Sequence, residues 1–176
     1  MRKLSMDELN RVTAEEFKNQ EKTPLVVVLD NVRSMYNVGS IFRTCDGFAV
    51  EELLLCGITA CPPHKEIAKT ALGSTESVNW RHFDETTAAI TELKERGFKV
   101  FAVEQVDTSV ALQDFTPQKG EKIAIVLGNE VFGVDDDALA LCDGALEIPQ
   151  AGTKHSFNVS IAGGITIWEI FKKMSL

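Results

Sequence analysis

Short runs of consecutive apolar residues recur along this chain, separated by segments in which apolar positions return every three or four residues. Residues 25–29 read LVVVL. A continuous Val-rich run bounded by polar residues suits a strand buried on both faces of a parallel sheet. Similar runs lie at 53–56, 99–103 and 123–127, with a further candidate at 145–148. Helical patterns fall between them, at 40–47, 66–72, 86–96 and 135–141. The third is the clearest: Ala89, Ile90 and Leu93 share a face, and Gly97 stands where a C-terminal cap belongs. Strand and helix alternate, which predicts an α/β fold, Rossmann-like, with a mainly parallel sheet and helices on both faces.

The two ends of the chain differ from this middle. The first 22 residues are polar and charged, and 7–20 are predicted as one short amphipathic helix, an N-terminal extension at 1–22. Residues 159–174 read as a helix with Ile161, Ile165, Trp168 and Ile170 apolar, while Val159, Ala162, Ile167 and Phe171 fill much of the opposite side. A helix apolar around most of its circumference is buried or lies at a subunit interface. Gly163 and Gly164 would each cost about 1 kcal/mol relative to Ala unless another backbone approaches closely. Tight packing, against the rest of the chain or a second copy, is therefore expected.

Composition narrows the class. A chain of 176 residues makes one domain, and 44% hydrophobic with 25% charged residues is ordinary for a globular one. Cys45, Cys56, Cys61 and Cys142 form no CxxC pair and have no His at metal-ligand spacing. With no secretory signal, free thiols in a reducing cytoplasm are the economical reading. No apolar run reaches the ~20 residues of a membrane span, so neither membrane nor metal is expected. The net charge of −8 argues against general nucleic-acid binding. It does not exclude a local basic patch, since charge is screened over roughly 8 Å.

Three loops carry candidate chemistry. The first follows the opening strand, from Asp30 to Gly39, and runs into Ser40–Thr44. Gly39 with Ser40 reads as a helix start with outward N–H groups, and Arg43 about one turn on offers a guanidinium fork to a phosphate or oxyanion. An ordinary strand–turn–helix with a surface arginine fits equally. The second is LGNEVFGV at 127–134. There Gly128 would let a ligand approach the backbone and Glu130 would lie in the crevice beside it; a plain Gly-Asn turn also accounts for the pattern. The third, IPQAGTKHSFNVSIAGG at 148–164, joins a short strand to the last helix. Ser156 and Asn158 can serve there simply as N-caps. Neither a GxGxxG turn nor a Walker-type phosphate loop is present.

Together the three loops resemble the signature motifs of the SpoU, or TrmH, family of the SPOUT class, over residues 24–172. Asn37 and Arg43 fill the first motif, within NVGSIFRTCDGFAV; Gly128 and Glu130 fill the second; Ser156 and Asn158 fill the third. The resemblance implies a catalytic core at 24–172 of a single domain, closed by a C-terminal trefoil knot, and a homodimer that gives the apolar last helix its purpose. It implies S-adenosylmethionine as cofactor, held at Glu104, Leu127, Gly128, Ile148, Pro149 and Phe157. The implied reaction is methylation of a ribose 2′-hydroxyl in structured RNA, tRNA ahead of rRNA, with Arg43 central and Asn37, Glu130, Ser156 and Asn158 in support. A guanidinium is a poor proton acceptor, so Arg43 is expected to hold a substrate phosphate and stabilise the developing alkoxide. The base stays open between His155 and a substrate phosphate. RNA is expected to meet Arg33, Arg43, Lys65, Lys69, Arg81 and Lys154, with His64 and His155 nearby. The alternative is a non-catalytic dimeric module of the same fold that binds RNA or senses the cofactor.

Overall fold

The computed structural model describes residues 1–176 apart from Met6 and Asn10. The expected amphipathic helix over 7–20 is broken, and Asn10, within that span, lies outside the described residues. The chain makes a 3-10 turn at Asp7–Leu9 and then a separate helix, α1 (Ala14–Asn19). Thr13 fixes where α1 begins. Its hydroxyl accepts from the Glu16 N–H, while the Glu16 carboxylate accepts from the Thr13 N–H at 2.7 Å.

The body of the molecule is one seven-stranded sheet in which every pairing is parallel. In chain order it runs β1 (Thr23–Asp30), α2 (Met35–Gly47), β2 (Val50–Cys56), α3 (Lys65–Ala71), α4 (Ser74–Ser77), β3 (Trp80–Phe83) and α5 (Thr86–Glu95). It continues with β4 (Phe98–Val103), β5 (Val110–Ala111), β6 (Lys122–Leu127), α6 (Asp136–Leu141), β7 (Gly144–Glu147) and α7 (Val159–Ser175). The strand order is β3-β2-β1-β6-β4-β7-β5. The five expected strands are present; β3 and β5 are additional, short and at the two edges.

Alternation along the strands builds two cores. Leu25, Val27, Leu29, Ile123, Ile125 and Leu127 face α2, α3 and α7, contributing to a cluster with Ile41, Phe42, Ile67, Ile167 and Ile170. Val26, Val28, Val100, Ala124 and Val126 face α5 and α6, meeting Ala89, Ile90, Leu93 and Ala138. Helices therefore cover both faces, as expected. Desolvation pushes the thiol of Cys56 up to about 12 and that of Cys142 up to about 11, and it raises that of the fully buried Cys45 too, so none of the three is poised as a nucleophile. No helix among the described residues is long and apolar enough to cross a membrane.

Two glycines in the helices have different reasons from those expected. Gly39 does not start a helix. α2 begins five residues earlier than the expected 40–47, with Ser34 capping it through the Asn37 N–H, and Gly39 sits inside it where a Cβ would strike the Ile67 carbonyl and Thr70 of α3. Gly163 makes its close approach within the chain: a Cβ there would lie 2.9 Å from Leu127 Cδ1. Gly164 faces open space. On α7, Ile161, Ile165 and Trp168 remain exposed, at i, i+4 and i+7.

Candidate active site

The chain runs from β1 to one side of the sheet and later returns to the other, so the strand order reverses at the paired strands β1 and β6, and the helices that follow them cover opposite faces. Open α/β sheets hold ligands at such a switch point, outside the carboxyl ends of the strands. Here the loops after β1, β2 and β6 are tied together by Asn31, whose φ of 53° is tolerated by its short polar side chain. Its Oδ1 accepts from the Ile58 N–H at 3.1 Å, and its carbonyl accepts from Asn129 Nδ2 at 2.8 Å. Beneath it, buried Asp30 accepts from the Thr86 hydroxyl and from the Asp135 N–H.

A cleft of about 510 Å³ opens beside this cluster of loops, a size suited to a small organic ligand. Its walls are Val103–Gln105, the segment 127–133, Leu146–Ile148, Gln150, and residues 156–159 with Ala162 from the start of α7. Glu104, Leu127, Gly128, Ile148 and Phe157 thus line it as expected, whereas Pro149 does not. Three acidic residues, Glu104, Glu130 and Glu147, are part of its lining. Such a lining complements a ligand that carries positive charge.

Gly128, which lines the cleft, is also closely packed. A Cβ there would strike the backbone of Gly133 and Val134, which folds back over it. Glu104 holds that return segment, its Oε2 accepting from the Val134 N–H at 3.2 Å.

The three loops meet at one hydrogen-bond chain. Asn158, which caps α7 through the Ser160 N–H, donates from Nδ2 to Asn37 Oδ1 at 3.1 Å. Asn37 donates in turn from Nδ2 to Glu130 Oε1 at 3.0 Å. Glu130 also accepts from the Arg33 and Ser34 N–H groups, each at 3.0 Å. Its carboxylate therefore occupies the start of α2, where free N–H groups were expected to face outward. Partial burial pushes the Glu130 carboxyl up, but the N–H groups of Arg33 and Ser34, with the Asn37 amide, outweigh it and hold it below the usual Glu value. A carboxylate so engaged is a strut and a poor base. The sign is set by that lowering: its contribution to stability is complete above the ordinary value of 4.5 and is lost as pH falls below it. The melting-temperature difference between wild type and Glu130→Gln should hold steady from pH 7 to 5 and shrink below about pH 4.5. A difference equally large at pH 3 would show that the carboxylate charge is not what counts.

Arg43 is not in this cleft. It lies exposed on α2 and lines a separate groove with Ser40, Thr44, Phe48, Lys69 and Thr70. Among the described residues its guanidinium has no hydrogen-bond or ion-pair partner. Phe48, in the same groove, packs against Trp168 and Phe171 of α7 with ring centroids 5.7 and 5.3 Å away, so the groove adjoins the exposed apolar stripe. Ser156 lines the cleft mouth. Arg33, Lys65 and Lys154 are exposed, and Lys69 pairs with Glu66 and reaches the Tyr36 hydroxyl. Arg81 is no free cation: Glu52 and Glu92 hold it, each at 2.6 Å. His64 is occupied as the cap of α3. Sequence reasoning did not single out Asn31, Asn129 or Gln105, which donates to the His155 carbonyl at 3.0 Å. For the two asparagines the signal was an Asn just past the end of a predicted strand.

Comparison with known proteins gives this geometry relatives. The profile of the SpoU rRNA Methylase family matches residues 24–168. A tRNA (guanosine(18)-2′-O)-methyltransferase of Thermus thermophilus is 35% identical over 163 residues, 92% of this chain and 81% of that protein. The crystal structure of the A. aeolicus TrmH/SpoU tRNA modifying enzyme superposes with a TM-score of 0.79 at 29% identity, covering 91% of this chain and 79% of that one. An AdoMet-bound rRNA methyltransferase of Sinorhizobium meliloti gives 0.80 at 26% identity, covering 89% of this chain but 59% of its own longer one.

Proposed function

Because this chain belongs to the SpoU rRNA methylase family, we propose that it transfers the methyl group of S-adenosylmethionine to a ribose 2′-hydroxyl of tRNA or rRNA. The observation that carries the reading is the Asn158–Asn37–Glu130 chain at the mouth of the cleft, which draws one residue from each motif into a single fixed assembly. Identity to an enzyme named for tRNA over most of both chains favours tRNA. The acidic lining suits a cofactor bearing a sulfonium and an ammonium group, and Leu127, Gly128, Ile148 and Phe157 would hold it with Glu104 behind them. That cofactor supplies a methyl group already activated for attack. What the protein adds is placement of the hydroxyl in line and stabilisation of its oxygen as the proton leaves.

In this reading Asn37 and Asn158 are positioning groups, locked by Glu130, and Ser156 contacts the incoming ribose. Arg43, sharing a groove with Lys69, grips a phosphate of the RNA. It lies outside the cleft of its own chain, beside the stripe of Ile161, Ile165 and Trp168. A homodimer seated on that stripe would bring Arg43 of one copy to the cleft of the other and give Gly164 its close neighbour. The C-terminal segment from β7 into α7, threaded past the loop 128–134, would form the trefoil knot. Arg33, Lys65 and Lys154 would extend the contact with RNA, and the work would be done in the cytoplasm on a single domain, its core at 24–172.

The test is methyl transfer from labelled S-adenosylmethionine to unfractionated tRNA and to rRNA from cells lacking the protein. Label should enter a 2′-O-methyl nucleotide, in tRNA ahead of rRNA. S-adenosylhomocysteine binding without transfer would favour a cofactor sensor. Absence of both would remove the proposal.

A further inference from the structure

Phe132 is the most exposed aromatic side chain among the described residues, with 85% of its surface open, and its neighbour Val131 is 66% open. A phenyl ring held in water gains nothing for the fold. The segment that displays it is nevertheless rigidly built. Asn129 and Gly133 exchange two backbone hydrogen bonds, at 2.8 and 2.9 Å, closing a five-residue hairpin. Inside it, Asn129 Oδ1 accepts from the N–H groups of both Val131 and Phe132. Gly133 supplies the positive φ of 74° that the return needs. From outside, Asn129 donates to the Asn31 carbonyl and Glu130 accepts from the Arg33 and Ser34 N–H groups. The ring is thus displayed on a braced backbone.

The position of that arm says what it meets. The hairpin, Phe132 included, is a wall of the cofactor cleft, and its Glu130 is strapped to the backbone N–H of exposed Arg33. An exposed apolar ring and an exposed arginine whose backbone is tied to the same hairpin, at the rim of the cleft, match the two faces of single-stranded RNA, its bases and its phosphates. We propose that Phe132 is a stacking platform for a nucleobase adjacent to the methylated ribose, with Arg33 taking a neighbouring phosphate. The inference rests on the reading of the substrate as RNA and adds a substrate-positioning residue to it. Stacking accepts any base, so Phe132 contributes grip and register more than sequence choice.

The experiment compares wild type with Phe132→Ala, Phe132→Leu and Phe132→Trp, using unfractionated tRNA as acceptor and S-adenosylhomocysteine as the cofactor probe. Loss of one stacked base should raise KM for tRNA by about ten- to a hundredfold in the Ala and Leu variants. Phe132→Trp should stay within about twofold of wild type, because indole stacks at least as well. Phe132 also lines the cleft, so affinity for S-adenosylhomocysteine should move far less than KM for tRNA, and the mass in solution should be unchanged in all three. Rescue by leucine would overturn the proposal, since it would point to simple apolar packing. So would weakened S-adenosylhomocysteine binding with tRNA KM unmoved, which would make Phe132 a cofactor lid, or a changed mass in solution, which would make it an interface residue. A wild type that transfers no methyl would instead remove the underlying reading, and this inference with it.

Discussion

Arg43→Ala should lower methyl transfer to tRNA by about a hundred- to a thousandfold, the usual cost of removing one preorganised group that stabilises charge in a transition state. Affinity for S-adenosylhomocysteine should stay within about twofold of wild type, since the proposed partner of Arg43 is an RNA phosphate and not the cofactor. Arg43→Lys should keep tRNA binding yet lose most of the turnover, because an ammonium is a point charge and cannot match the planar fork. Near-wild-type turnover in the lysine variant would sink the role in transition-state stabilisation. A mixing experiment tests whether Arg43 acts across a subunit boundary. Ser156→Trp places an indole in the cleft mouth at an exposed position and should abolish cofactor binding. Co-expressed with Arg43→Ala, it should recover about a quarter of wild-type activity, because half of the two-fold dimers are mixed and each mixed dimer has one intact site. No recovery would mean that each chain uses its own arginine.

Gly128→Ala should be the most damaging single methyl in the protein. The added Cβ meets backbone, the Gly133 carbonyl group and the Val134 nitrogen, so no rotamer change relieves it. Either the return segment lifts away from β6 or β6 shifts in the sheet. A cost of roughly 3 kcal/mol, near the upper end for overpacking, would lower the melting temperature by about 6–12 °C. The segment that must move is a wall of the cleft and is held by Glu104, so S-adenosylhomocysteine binding should be lost even well below the melting temperature. Calorimetry of unfolding and of ligand binding on the same sample separates the two effects. A variant that melts lower but binds normally would show that the collision is absorbed away from the cleft.

How far these features could be read in advance depended on how local their causes are. The central strands were legible because each carries a run of apolar residues. β3, reading WRHF, and the two-residue β5 lie at the edges, half exposed, and carry too little pattern to detect. Asn37, Glu130 and Asn158 were found because each belongs to a compact motif. Their mutual hydrogen bonds were not visible, since these span 93 and 121 positions of sequence. The start of α2 was misplaced for a similar reason. Gly39 looks like a turn residue until α3, far along the chain, is seen to press on it. That error moved Arg43. With the helix running from Met35, six residues of about 100° each carry Arg43 some 120° round from Asn37, onto a face that looks away from the cleft.

The ties between Asn31, Asn129, Glu130 and Arg33 also bear on how the molecule comes to exist. Arg33 and Glu130 are separated by 97 positions, and β1 waits for β6 across nearly the same stretch of chain. Parallel pairing at such separation is slow to form, because the closure entropy falls due before any contact rewards it. Until β6 arrives, the Leu25–Leu29 segment of β1 presents an unpaired apolar edge, the kind that recruits other chains. A nascent chain that stops short of residue 122 therefore has no cleft and no shield for its central strand, and aggregation competes with maturation from the first half of synthesis onward.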